Sequence, residues 1–342
     1  MTTTERARGA TWAPPAAMLR AGFPYMRTLG MRRVTFYPLD VAVGGEGRIY
    51  TISRFDLTGN VRVTTWDDDD LGALSGGWTW PAGLALDEEE RLYVSDEGEH
   101  TVTVLTREGQ TLRRWGKQGS KPGELNRPSH LAFDHEGHLW VSDTRNHRVQ
   151  QLTRDGEPLR SLGEFGGGPG QLNMPWGVAV DPAGAVYVAD WRNDRVQKFD
   201  PDGRPSLVIG RSGTGDGEFH RPAGVAVDQH GDIYVCDRGN HRVQLFDHTG
   251  RYIEQFRGDA TLSKMGRLYI LSNQKVLRLR EMAKLEPQKR FRAPSAVRVL
   301  PDGRMFVADY GSHRVQVYQK EAYPLSESEV MPPPRSVTLS TV

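Results

Sequence analysis

The sequence predicts an all-β fold, a β-propeller of four-stranded blades. Two observations predict it: one segment recurs at a fixed spacing, and each copy alternates short apolar runs with glycine-bearing turns. Arg221 to Phe246 reads RPAGVAVDQHGDIYVCDRGNHRVQLF, Arg127 to Leu152 reads RPSHLAFDHEGHLWVSDTRNHRVQQL, and Met174 to Phe199 reads MPWGVAVDPAGAVYVADWRNDRVQKF. Weaker copies run from Trp80 to Leu105 and from Ala293 to Tyr318. Asp96, Asp143, Asp190 and Asp237 end the second run of successive copies, 47 residues apart each time. Periods of that length belong to propellers and solenoids.

Each copy reads as strands in order. Val225 to Val227 is the first, followed by a turn ending in Gly231, and Ile233 to Val235 is the second. A polar loop leads to the third, Arg242 to Phe246, and Gly250 marks the next turn. Glycine at these turns supplies the positive φ of tight hairpins. Runs apolar on both faces suit sheets stacked face to face, as in a ring of blades. A fourth strand is visible as Leu112 to Gly116 and as Leu159 to Gly163.

The last copy ends at Tyr318 without a fourth strand, and Tyr25 to Gly30 carries the matching pattern. The N-terminal strand is therefore expected to complete the last blade and remove its open edge. Taking Tyr50, Tyr93, Trp140, Tyr187, Tyr234, Tyr269 and Phe306 as equivalent second-strand positions gives seven blades, with Lys275 to Leu279 as a third strand after Tyr269. Six is the alternative, because the steps into Tyr269 and Phe306 are only 35 and 37 residues. The expected division is a flexible tail over 1 to 22, a propeller over 23 to 323, and a second flexible tail over 324 to 342 containing Pro332-Pro333-Pro334.

Composition agrees with a chain that turns often: 38 glycines and 21 prolines in 342 residues, with 37% apolar and 25% charged. A net charge of +1 gives no global pull toward nucleic acid or an anionic membrane. The single Cys236 follows an apolar run and reads as a buried thiol, and one cysteine excludes a disulfide framework. With neither an apolar signal stretch nor a membrane span, the expected location is cytoplasmic.

The repeat resembles the NHL family, named for an Asn-His-Leu signature that stands here as Asn146-His147-Arg148 and Asn240-His241-Arg242. The resemblance covers about residues 25 to 320 and implies a β-propeller with no particular chemistry attached. A catalytic relative in that repeat family, the metal-dependent peptidyl-hydroxyglycine amidating lyase, implies histidines directly after the blade-opening proline. Those positions here hold Ala82, Ser129, Trp176, Ala223 and Ser295, while Arg238 matches the placement of the lyase's catalytic arginine.

No metal site, cofactor or catalytic set is expected. The histidines His147, His241 and His313 recur at one place in the repeat, so each is read as fastening its own loop. The aspartates from Asp96 to Asp309 are read as loop caps paired with Arg148, Arg195, Arg242 and Arg314. The run Asp67 to Asp70 lacks calcium-loop spacing and reads as a solvated turn. Loops on a rigid scaffold carry function. The expected binding residues, on the face around the central channel, are Arg145, Trp176, Trp191, Arg192, Arg238, His130 and Tyr310. Tryptophan and arginine that break a repeat suit binding hot spots, with packing between loops as the alternative for the two tryptophans. The leading function is a scaffold for a protein or small-molecule ligand. The alternatives are a metal-dependent propeller lyase or hydrolase, and RNA binding if the loop arginines outweigh the aspartates beside them.

Overall fold

The computed structural model describes residues 12 to 326 except 16, 56, 57 and 274 to 284, together with residue 329. Within the described residues the chain forms six four-stranded antiparallel sheets. Their opening strands are Pro38–Val43, Pro81–Leu86, Pro128–Phe133, Pro175–Val180, Pro222–Val227 and Pro294–Val299. Each packs on the next, and the last packs on the first, which makes a ring of six blades about a central channel.

Blade three shows how the sequence builds a blade. Pro128–Phe133 pairs with Leu139–Asp143, that strand with Arg148–Leu152, and that with Pro158–Leu162. The first hairpin turns because the Asp134 carboxylate accepts the backbone N–H of Glu136 and His138, at 3.0 and 2.9 Å, while Gly137 takes φ +79°. The same aspartate recurs at Asp87, Asp181 and Asp228 with the same bonds. Second-strand aromatics Tyr50, Tyr93, Trp140, Tyr187, Tyr234 and Phe306 are fully buried between neighbouring blades. Glycine in the opening strand has a packing reason, since a Cβ on Gly224 would lie 2.8 Å from the Ala296 backbone of the next blade.

The count of seven is corrected to six. The segment around Tyr269 is a helix, α1 (Lys264–Leu271), not a strand. Blades two to five carry an aspartate three residues before the positive-φ residue of this turn, and Ser263 stands at that place before Gly266. Its hydroxyl accepts the Gly266 N–H at 3.0 Å as a helix N-cap. The expected third strand over 275 to 279 lies outside the described residues.

Blade six draws three strands from Pro294–Val299, Arg304–Asp309 and Arg314–Gln319. Its outer strand is Tyr25–Leu29, with Tyr25 opposite Tyr318 and Leu29 opposite Val315. The N-terminal tail is shorter than expected from sequence. Met18–Gly22 forms a two-stranded ribbon with Glu321–Pro324. The ribbon is pinned to blade five by the Arg20–Asp232 ion pair and by the buried Lys320, whose Nζ meets Asp232 at 2.8 Å and also contacts Asp228. Tail residues 1 to 11, 16, 327, 328 and 330 to 342 lie outside the described residues.

Candidate functional site

In blades two to six the second strand ends in an aspartate whose carboxylate organises the loop beyond it. Asp143 accepts Asn126 N–H at 2.6 Å, Asn146 Nδ2 at 2.8 Å and Arg148 Nε at 2.9 Å. Asp190, Asp237 and Asp309 repeat this with Arg195, Arg242 and Arg314, each at 2.8 Å. Burial pushes these four carboxyls up, opposed by the bonds they accept. The recurring groups are thus consumed by architecture.

The recurring histidines do more than fasten their own loops. His147 Nδ1 accepts the N–H of Met174 at 3.1 Å, His241 that of Ala293 at 2.9 Å, and His313 that of Tyr37 at 3.1 Å. His100 does the same for Arg127 at 3.0 Å, and Asp194 takes the role in blade four, accepting Arg221 N–H at 2.6 Å. In each case the acceptor holds the residue that precedes the opening proline of the next blade. That residue sits at φ between 45° and 54°, a left-handed conformation that needs fixing.

What the repeat leaves free is the residue directly after the second-strand terminus. Around the ring it is Arg54, Glu97, Thr144, Trp191, Arg238 and Tyr310, six positions with five side-chain types, arginine alone appearing twice. These line the channel mouth. Arg54 lies 3.7 Å from Glu97, and the Arg238 guanidinium stacks 4.6 Å from the Tyr310 ring centre. Glu97 of blade two also feels Arg127 of blade three and Arg238 of blade five, so opposite walls meet electrostatically. Burial pushes the Glu97 carboxyl up, opposed first by Arg54 and then by Arg127. The same burial draws the Arg238 guanidinium down from its ordinary value.

Trp176 and Trp191 do come together, with ring centres 5.8 Å apart, and both are half-buried. Neither indole N–H has a partner among the described residues. Arg192 and Arg221 approach the Trp191 ring at 5.7 and 5.1 Å. Arg145 and Arg192 sit one residue further along the loop and are exposed on the rim. Arg127 lies over Trp80 at 5.2 Å, and Tyr37 packs 4.9 Å from Tyr310.

His130 does not reach the mouth. It is buried in the channel wall, with its Nε2 unpartnered among the described residues, and burial draws its pKa down to about 4. On the same wall Arg298 donates to Asp40 at 2.6 Å, and Asp40 also accepts Leu84 N–H at 3.0 Å. Arg298 faces Phe306 in register, the place where other blades set Ala42, Ala85, Ala132, Ala179 or Ala226 against the second-strand aromatic. Arg54, Glu97, Asp40 and Arg298 were missed from sequence. Aligning the copies position by position would have exposed all four.

The Asp67 to Asp70 run is a turn with Asp67, Asp69 and Asp70 exposed, but one of its carboxylates is structural. Asp68 is buried and accepts the N–H of Gly30 at 2.6 Å and of Met265 at 2.9 Å, joining blade one to the outer strand of blade six and to α1. Among the described residues no three His, Cys, Asp or Glu side chains group as metal ligands. Cys236 is buried in the core, and burial raises its thiol pKa.

The model of the NHL repeat family matches residues 125–152, 172–199, 219–246 and 291–318, the copies of blades three to six. No curated protein matches the chain. Among solved structures, a Bacteroides thetaiotaomicron protein of unknown function is 19% identical, with TM-score 0.58 over 91% of this chain and 75% of that one. Virginiamycin B lyase from Staphylococcus aureus is 11% identical, with TM-score 0.54 over 89% of each chain. A gluconolactonase from Xanthomonas campestris is 17% identical, with TM-score 0.55 over 90% and 99%. At these identities the likeness is one of fold.

Proposed function

We propose that this chain, an NHL-repeat β-propeller, is a binding platform that seats an acidic ligand or protein segment on its channel mouth. One observation carries the reading. The residue after each second strand varies around the ring, with arginine alone repeated, although the repeat around it is kept, and Arg54, Glu97, Arg238 and Tyr310 come within electrostatic reach of one another. A ring that served only as a spacer would have no cause to vary there.

The acidic character of the partner follows from the donors at the mouth. Arg54, Arg127 and Arg238 surround the carboxyl of Glu97, with Arg145, Arg192 and Arg221 at the rim. The two indole N–H groups add donors without acceptors. Guanidinium on an aromatic face keeps its in-plane N–H groups available for a carboxylate or phosphate. Tryptophan and arginine are also the side chains that dominate binding energy in interfaces.

Two enzymes, a lyase and a gluconolactonase, share the fold, and they support a catalytic propeller as the second reading. Affinity capture with the full chain separates the two. A binding platform retains a defined partner that Arg238→Ala and Trp191→Ala both lose, whereas turnover of a lactone or cyclic ester dependent on added divalent metal would overturn the platform reading.

A further inference from the structure

Blades three to six fill the groove beside their third strand with their own connecting loop. In blade three Arg148 donates to Lys121 O at 2.9 Å and Glu124 O at 3.0 Å, while Gln150 donates to Glu124 O at 2.8 Å and accepts Gly123 N–H at 3.0 Å. Arg195 with Gln197, Arg242 with Gln244, and Arg314 with Gln316 repeat the arrangement. Blade one cannot. Its register puts Asn60 and Arg62 at those two positions, opposite Ser53 and Thr51. The connection from Gly30 to Pro38 also spans only eight residues, against twelve from Gly116 to Pro128.

The shortened loop leaves a cavity of about 660 Å³ between blades six and one, roofed in part by α1. Asn60 Oδ1 and Arg62 Nε are buried in its wall without partners among the described residues. Arg32 stacks 5.9 Å from the Phe36 ring and Arg33 4.7 Å from the Tyr269 ring. Both arginines are exposed, and neither has a carboxylate partner among the described residues. The cavity thus offers exposed guanidinium donors, two aromatic rings and an amide oxygen without a partner among the described residues, in one volume. That volume lies within the roughly 300–1,000 Å³ of small-molecule sites.

We propose that this cavity is a second site, separate from the channel mouth, which binds a nucleoside monophosphate. The phosphate takes the in-plane N–H groups of Arg32 and Arg33, the base packs along Phe36 and Tyr269, and the Asn60 amide meets its polar edge. Bare phosphate would use only the arginines and leave most of the volume unfilled. The charge, the rings and the amide are all engaged by an aromatic anion of nucleotide size.

Isothermal titration calorimetry of the full chain tests this with adenosine monophosphate, uridine monophosphate, adenosine and inorganic phosphate as separate probes. The expected result is saturable binding of a monophosphate with Kd below about 1 mM. Arg32→Ala/Arg33→Ala should weaken it about tenfold or more, as the loss of a charge-assisted contact does. Tyr269→Ala should weaken nucleotide but not phosphate, and Trp191→Ala should change nothing here. Arg32, Arg33 and Tyr269 lie outside the blade cores, so an unchanged melting temperature accompanies these effects. No monophosphate binding, binding indifferent to the arginine pair, or phosphate binding as tightly as nucleotide would each overturn the proposal.

Discussion

His147 Nδ1 accepts the backbone N–H of Met174, so a side chain of blade three holds the entry of blade four. The bond needs an unprotonated Nδ1 and a residue in the left-handed region, and the pair recurs around the ring. His147→Ala removes the acceptor and leaves an unpaired N–H at a strained position. The expected cost is about 1–2 kcal/mol in urea unfolding. His147→Asp should recover much of it, because Asp194 already performs this role between blades four and five. Equal losses for alanine and aspartate would assign the effect to packing of the ring instead.

His130 makes stability depend on pH. An unfolded histidine titrates near 6.5, roughly, and the buried His130 near about 4, so between these values the unfolded chain binds a proton that the folded chain does not. Stability is therefore intact above the unfolded pKa and is lost as pH falls toward 4, by an amount on the order of 3 kcal/mol. His100, His147 and His313, all lowered mainly by burial, act in the same direction. The raised carboxyls of Asp143, Asp190, Asp237 and Asp309 oppose them, so the informative quantity is a difference between variants. Comparing wild type with His130→Gln by chemical denaturation across this range should show a flatter profile for the variant. Parallel profiles would mean that His130 does not carry the effect.

The N-terminal strand is expected to hold the ring shut through its pairing with Arg314–Gln319. Removing residues 1 to 16 spares that pairing and the Met18–Gly22 ribbon, so the melting temperature should stay near wild type. Removing residues 1 to 30 strips both and exposes an unpaired edge, which should aggregate or melt earlier. Light scattering with calorimetry on the two truncations distinguishes these outcomes, and identical behaviour would refute the role given to Tyr25–Leu29.

Most of the fold was legible because the blade is local: Asp134, Gly137, Trp140 and Asp143 each act within one copy, so a repeat in sequence is a repeat in structure. The errors came where that locality fails. Tyr269 matched the strand pattern in letters, yet Ser263 caps the N-terminus of a helix over that segment. The reach of His147 into the next blade and of Asp68 across to Gly30 and Met265 depends on ring geometry, which spacing along the chain does not encode. At the mouth, Trp191, Arg238 and Tyr310 were found as departures from the repeat, while Arg54 was hidden because Ser53 replaces the aspartate that marks its blade.

The mouth itself gives the last prediction. Trp191 and Arg238 stand on neighbouring blades, four and five, each next to a second-strand aspartate that fixes its loop without using their side chains. Replacing either with alanine should therefore weaken partner binding by ~2 kcal/mol or more, the scale of an interface hot spot, and leave the melting temperature close to wild type. Asp202, exposed in a turn between the third and fourth strands of blade four, is the control, and Asp202→Ala should alter neither quantity. Glu97→Gln adds a test of sign. It removes a carboxyl that faces Arg54, Arg127 and Arg238, so an acidic partner should bind more tightly and with a steeper dependence on salt. If Trp176→Ala and Trp191→Ala instead cost several degrees and leave binding untouched, the paired indoles serve as packing between loops, and the binding surface lies elsewhere.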